Sequence, residues 1–144
     1  MKKKFSTSWS SSRQPRKQRK YQANAPLHLR HRFLNAHLPK ILREKYGKRS
    51  LPLRKGDEVL VMRGSFGGKK AKITSVNSKK IRVVLEGMQR TKKDGTKVNV
   101  YFHPSNLQIQ SLSLDDKKRI AALERATKKD KEKKNAHKKT DSNN

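Results

Sequence analysis

Cysteine is absent from this 144-residue chain. That absence removes disulfides, thiolate metal centres and cysteine nucleophiles together, and it fits a reducing compartment. Acids are scarce as well, with 11 Asp and Glu against 39 Lys and Arg. Asp57, Glu58, Glu86 and Asp94 are too sparse and unpaired to suggest an acid–base couple, so no enzyme is expected. No apolar run approaches the roughly 18 residues that span a bilayer. The basic N-terminus has no apolar stretch behind it and is not a secretory signal. Only 31% of the residues are hydrophobic, so most of the chain cannot bury itself without a partner. The length suits one ordinary domain with extensions.

What the chain does have is positive charge, a net +28. Residues 1–50 contribute +14, residues 51–112 contribute +9 and residues 113–144 contribute +5. The first acid is Glu44, which leaves 43 residues before it without one. Such a segment repels itself in isolation and is relieved along phosphates, where each neutralised charge releases condensed counterions. Nucleic acid is the expected partner.

Four regions follow from composition. Residues 1–24 have only Phe5, Trp9 and Tyr21 as large apolar groups and no period, which reads as a basic extended arm, disordered alone. An organellar transit peptide has similar composition but needs an amphipathic leucine stripe that is missing here. Residues 25–50 carry short helical patterns, one through Leu27, Phe33 and Leu34. A second follows Pro39, with Leu38, Ile41, Leu42 and Tyr46 at helical spacing and Gly47 as a left-handed end. Residues 51–112 begin with an extended lead through Leu51, Pro52 and Leu53, and then turn to period two.

In that third region Val59 and Val61 alternate with Glu58, Leu60 and Met62. Lys70–Val76 follow, then Ile81, Val83 and Leu85 after an Asn77–Lys80 turn. Asp94-Gly95 suits a type I′ hairpin turn. Val98, Val100 and Phe102 come next, and Leu107 and Ile109 follow His103-Pro104. Five short strands with tight turns predict a mainly β fold, a small, strongly bent antiparallel barrel. In residues 113–144, Ser113 with Asp116 resembles a capping box for a helix over 114–126. Past Thr127 the basic tail offers nothing to bury.

The centre of the binding reading is the loop Arg63-Gly64-Ser65-Phe66-Gly67-Gly68-Lys69-Lys70. Its glycines allow backbone N–H groups to face a phosphate, flanked by lysines. Phe66 either stacks on a base or folds back on the core. A P-loop is excluded, because Gly64 and Gly68 enclose too few residues and Lys70 stands where Ser or Thr belongs. The histidines at 28, 31, 37, 103 and 137 have no cysteines and few acids near them, so neither metal nor cofactor is expected. His28 and His31 read as RNA contacts beside Arg30 and Arg32, whereas His103 reads as structural. Asp57 reads as the cap of the turn entering its strand. The remaining candidates are Arg13, Arg16, Lys17, Arg19 and Lys20 in the arm, Lys48 and Arg49, Lys79 and Lys80, and Arg90, Lys92, Lys93 and Lys97. In a eukaryotic chain the run 13–21 would also pass as a nuclear localisation signal.

Gly56-Asp57-Glu58-Val59-Leu60-Val61, with Gly64 and Gly67-Gly68-Lys69, resembles a KOW motif, the RNA-binding element of several ribosomal proteins and transcription elongation factors. The flanks are more specific. Ala25-Pro26-Leu27-His28, Leu42-Arg43-Glu44-Lys45-Tyr46, Arg49 to Arg54, Met88-Gln89-Arg90 and His103-Pro104-Ser105-Asn106 resemble the archaeal and eukaryotic form of large-subunit ribosomal protein twenty-four, over residues 23–125. The resemblance implies an SH3-like barrel on the 5′ domain of the large ribosomal RNA, acting early in subunit assembly and close to the peptide exit tunnel. It also implies rRNA and neighbouring large-subunit proteins as partners, a cytoplasmic ribosomal location and no small-molecule substrate. The usual motif has Lys at Gly67 and Gly at Ala71, so one tip contact falls to Lys69 or Lys70 instead, and Ala71 is expected in ordinary β conformation. The alternative is a KOW-type elongation factor that binds RNA polymerase, although those usually carry a less basic domain upstream. A chromatin or nucleoid protein would explain the charge but not the barrel.

Overall fold

The computed structural model describes residues 4–125. In chain order the elements are a 3-10 turn at Thr7–Ser11, α1 (Pro15–Asn24), α2 (Leu27–Phe33), β1 (Asn35–His37), α3 (Lys40–Tyr46) and β2 (Ser50–Pro52). Then come β3 (Glu58–Val61), β4 (Lys70–Asn77), β5 (Arg82–Thr91), β6 (Lys97–Phe102), a 3-10 turn at Pro104–Asn106 and β7 (Leu107–Ser111). The chain is helical again from 117 to 125. No helix among the described residues is long and apolar enough to cross a membrane.

The five strands expected from period two are β3 to β7. Alternation works as read: Val59 and Val61 of β3 and Leu107 and Ile109 of β7 are fully buried, while their neighbours are not. Each such side chain contributes roughly 1.5–3 kcal/mol relative to exposure. The bend also forms. Lys70 to Lys72 pair with β3, the remainder of β4 pairs with β5, and the register slips between Ile73 and Ser75.

The seven strands form one mixed sheet in the order β2-β1-β7-β3-β4-β5-β6, and it stays open. β1 lies parallel along the second edge of β7, at His37 and Gln108, so no ladder joins β6 to β7. The fold is mainly β, as expected, and the ladder of the expected antiparallel barrel does not close. A ring from the loop between β3 and β4 reaches β6 instead. The Phe66 ring meets Phe102 at the end of β6 edge-on, 5.8 Å between centroids. The Met62 N–H donates to the Asn106 carbonyl at 2.8 Å and carries the β3–β7 pairing one residue further.

The β5–β6 turn also differs in type. A type I′ turn needs positive φ at both central residues, and only Gly95 has it, at +83°. The Gly95 N–H donates to the Lys92 carbonyl at 3.1 Å, and the Lys92 N–H to the Thr96 carbonyl at 2.9 Å. Asp94 Oδ1 accepts from the Thr96 N–H and hydroxyl at 2.9 and 2.6 Å. The carboxylate thus closes a loop ended by a left-handed glycine.

From Lys4 onwards the N-terminal region is not an extended arm. Pro15 opens α1, and the Gln18 amide donates to the carbonyls of Trp9, Ser10 and Ser12 at 3.0, 3.1 and 2.6 Å. Phe5 stacks on Tyr21 at 5.3 Å, and Tyr21 meets Phe33 of α2 at 5.7 Å. Three rings far apart in sequence thus supply the packing that no stripe announces. Between the two expected helices lies β1, which was not expected, and it pairs antiparallel with β2 in the lead that was expected to be extended. Leu34, Ala36, Leu38, Leu51 and Leu53 all enter the core.

At the C-terminal side the helix starts later than expected. The Ser113 hydroxyl donates to Asp115, and Asp116 Oδ1 accepts the Lys118 N–H at 2.8 Å, which makes Asp116 the cap. The tail past Thr127 lies outside the described residues.

One polar group joins these parts. Asp57 has no exposed surface, and its carboxylate accepts four hydrogen bonds. They come from the N–H of Arg54 at 2.9 Å, the N–H of Ser113 at 3.0 Å, and the Arg119 guanidinium at 2.6 and 2.7 Å. Asp57 is thus the expected turn cap and also a buried ion pair across 62 residues. Arg119 further donates to the carbonyls of Ser113 and Pro52. Removing one partner of such a pair strands the other charge. Asp57→Ala or Arg119→Ala is expected to cost about 3–5 kcal/mol in urea unfolding. The double variant should lose clearly less than the two losses added together. Strictly additive losses would contradict the pairing.

Candidate nucleic-acid interface

The loop from Met62 to Lys69 is shaped by its glycines. Gly64 and Gly68 have φ of +94° and +80°, and an added Cβ would meet nothing within 4 Å at either, so the requirement there is conformational alone. Gly67 differs, because a Cβ would lie 3.1 Å from the Gly64 carbonyl oxygen. Much of the backbone expected to face phosphate is engaged internally. The N–H groups of Gly67, Gly68 and Lys69 donate to the carbonyls of Gly64, Val61 and Phe66. Among the described residues the Gly64 and Ser65 N–H groups make no such bond, and Arg63, Ser65, Lys69 and Lys70 are exposed. Phe66 is half-buried on Phe102, with Lys69 Nζ 5.5 Å from its ring centroid. Packing is thus the contact this ring makes within the chain. Ala71 sits in β4 opposite Val59 without positive φ, as expected.

The other candidates separate into cations that the fold uses and cations that it leaves outside. Arg30 is half-buried and donates to the Ala23 carbonyl at 3.0 Å, tying α2 to the end of α1. Lys48 Nζ donates to the Ala122 carbonyl at 3.1 Å. Lys20 lies over the Trp9 ring, 5.2 Å from its centroid. Arg13, Arg16, Lys17 and Arg19 are exposed along and before α1, as are His28, His31 and Arg32 on α2 and Arg49 before β2. Lys79 and Lys80 stand at the β4–β5 turn, where Asn77 Oδ1 accepts the Lys80 N–H at 2.9 Å. Arg90, Lys92, Lys93 and Lys97 surround the exposed β5–β6 hairpin.

The hairpin and the glycine loop are separate patches. The loop touches β6 at Phe102, and the hairpin lies at Lys97, roughly 17 Å away at about 3.4 Å per residue. Lys72, which sequence reasoning passed over, is exposed two residues beyond Lys70 on the same face of β4. Period two along that strand was the available signal.

Titratable groups near these patches are shifted for identifiable reasons. Burial and the nearby Arg82 hold the His103 pKa below its ordinary value. Its Nδ1 accepts from the Ser105 N–H at 3.3 Å and lies 2.8 Å from the Ser105 hydroxyl, so His103 caps the turn as a structural residue. Burial, then Arg43 and Arg49, lowers His37, whose ring Arg43 contacts directly. Asp94 is lowered by its bonds to Thr96, and Asp116 by Arg54. Among the described residues no three His, Asp or Glu side chains gather as a metal site.

The sequence matches the family model that joins the eukaryotic L26 and the archaeal L24 ribosomal proteins, over residues 12–126. The chain belongs to this family. It is 46% identical over 114 residues to the large ribosomal subunit protein uL24 of Methanosphaera stadtmanae, covering 79% of this chain and 97% of the relative. It is also 46% identical over 114 residues to the protein of that name from Korarchaeum cryptofilum, covering 79% and 87%. Members of this family are structural constituents of the large ribosomal subunit, not enzymes. The match takes in α1, the glycine loop, both turns and the helix at 117–125, and it leaves the elongation-factor reading without support.

Two outcomes follow from this geometry. Because the folded pKa values of His37 and His103 lie below the unfolded value of about 6.5, the unfolded state takes up protons first, and stability falls as pH drops below that value. The melting temperature is expected to be lower at pH 5.5 than at 7.5, and the double substitution His37→Gln, His103→Gln should flatten that dependence. A double variant as pH-sensitive as the parent would show that other groups control it. Full truncation of a buried Phe costs roughly 3–5 kcal/mol, so Phe66→Ala, at a half-buried ring, should cost about 1.5–3 kcal/mol in chemical denaturation. A loss near zero would mean that the Phe102 contact does not hold the loop.

Proposed function

We propose that this chain binds the 5′ domain of large-subunit rRNA, enters the particle early in assembly and sits near the peptide exit tunnel of the cytoplasmic ribosome, beside other large-subunit proteins. The observation that carries the reading is the division of its cations. Those used by the fold meet carbonyls, rings or the few acids. Arg13, Arg16, Lys17, Arg19, Arg32, Arg63, Lys70, Lys79, Lys80, Arg90, Lys92, Lys93 and Lys97 form no ion pair among the described residues. Only an external polyanion neutralises so many charges of one sign.

Phosphate contacts position such a protein. The α1 cations lie on one strand of RNA, the lysines after the glycine loop on a second, and the β5–β6 hairpin reaches a third. Gly67 lacks the lysine usual at its position, and Lys70 and Lys72 hold the phosphate there. The strand order β7-β3-β4-β5-β6, in which the last strand returns to the first, supports an SH3-like arrangement, with the Phe66–Phe102 contact in place of the closing ladder.

With roughly eight phosphates contacted, affinity for a 5′-domain transcript should fall by about 10³ to 10⁵ between 50 and 200 mM salt. Replacing Arg13, Arg16, Lys17 and Arg19 with Gln should flatten the slope of log affinity against log salt by nearly one unit per phosphate lost. An equal affinity for transcripts of other rRNA domains would contradict the assignment. An unchanged slope would remove α1 from the interface.

A further inference from the structure

A cleft of about 500 Å³ lies where the 3-10 turn, α1, α2 and the start of β1 meet. Its size is within the roughly 300–1,000 Å³ of small-ligand sites. Tyr21 and Phe33 line it, edge to face at 65°, and Gln18 fixes one wall through its three carbonyl bonds. Three further lining side chains, Gln22, Arg32 and Asn35, have no hydrogen-bond or charge partner among the described residues. Gln22 and Arg32 are exposed, and Asn35 is half-buried.

We infer that this cleft receives one unpaired nucleobase of the bound RNA, a reading that rests on the rRNA assignment above. An amide presents a donor and an acceptor side by side, the pattern that base edges offer, and Arg32 supplies a charged fork for a base edge or its phosphate. The aromatic walls give the base face an apolar surface. Among the described residues no acid lines the cleft, so nothing there repels the nucleotide's phosphate. An acidic peptide would find a single cation here, Arg32, whereas a base meets both rings and both amides. A duplex backbone would not enter at all. Unpaired bases are where proteins read RNA sequence, so this cleft adds base recognition to a surface that otherwise holds phosphates.

The test uses the full chain, a 5′-domain rRNA transcript, and dimethyl sulfate and carbodiimide as probes of unpaired bases. The wild-type protein should protect at least one unpaired base. Gln22→Ala with Asn35→Ala changes no charge, so that base should regain reactivity and affinity should fall about tenfold with the salt slope unchanged. Gln22→Ala alone, at an exposed helical position where alanine favours the helix, guards against unfolding and should restore part of that reactivity. Wild-type binding without protection of any unpaired base would overturn the inference. So would a double variant that keeps every protection, which would leave the cleft to a protein neighbour. A wild-type protein that binds no 5′-domain RNA would instead overturn the rRNA assignment itself.

Discussion

The buried carboxylate of Asp57 is the interaction on which the arrangement turns. A chain of net charge +28 has few acids with which to hold itself together. It places one of them where the lead into β3, the segment after β7 and the helix at 117–125 converge. A buried charge is tolerable only when its oxygens are fully bonded, and four donors meet that condition. Because Arg119 comes from the far end of the described chain, the C-terminal helix is locked to the sheet that carries the glycine loop.

That lock belongs to a wider division of labour. Arg30, Arg43, Lys48, Arg54 and Arg119 each bond to a carbonyl, a ring or an acid within the chain. Arg30, Arg43, Lys48 and Arg119 are at least half-buried, so substituting them would disturb folding before binding, whereas Arg54 pairs with Asp116 at the surface and contributes little. The exposed cations of α1, β4 and the two turns have the opposite character. Like charges at Arg16 and Lys20 are spaced for repulsion on one helical face. The chain holds α1 against that repulsion with Gln18 and with the Phe5–Tyr21–Phe33 rings.

The strands from Glu58 to Ser111 were legible because period two and turn residues are local signals, and so was Gly47, which ends α3 in the left-handed conformation. What the sequence concealed depends on distant partners. β1 and β2 have three residues each, too few to show a period, and β1 takes its place by pairing with β2 and β7. α1 has no apolar stripe, and its support comes from Phe5 and Phe33. The Asp57–Arg119 pair spans 62 residues and has no local signature. Among candidate contacts, charge alone could not separate Arg30 and Lys48 from Arg32 and Lys70, because only packing decides which cation meets a carbonyl. Gln22 and Asn35 are uncharged and were passed over for that reason.

The most direct measurement is amine-reactive footprinting of lysines by mass spectrometry, on the free protein and on assembled large subunits. Lys17, Lys70, Lys79 and Lys93 should react readily in the free chain and lose that reactivity in the subunit, while Lys48, already bonded to Ala122, should react slowly in both. Exposed lysines that stay reactive in the subunit, or a Lys48 that reacts like the others, would contradict the division between cations that hold the fold and cations that hold RNA.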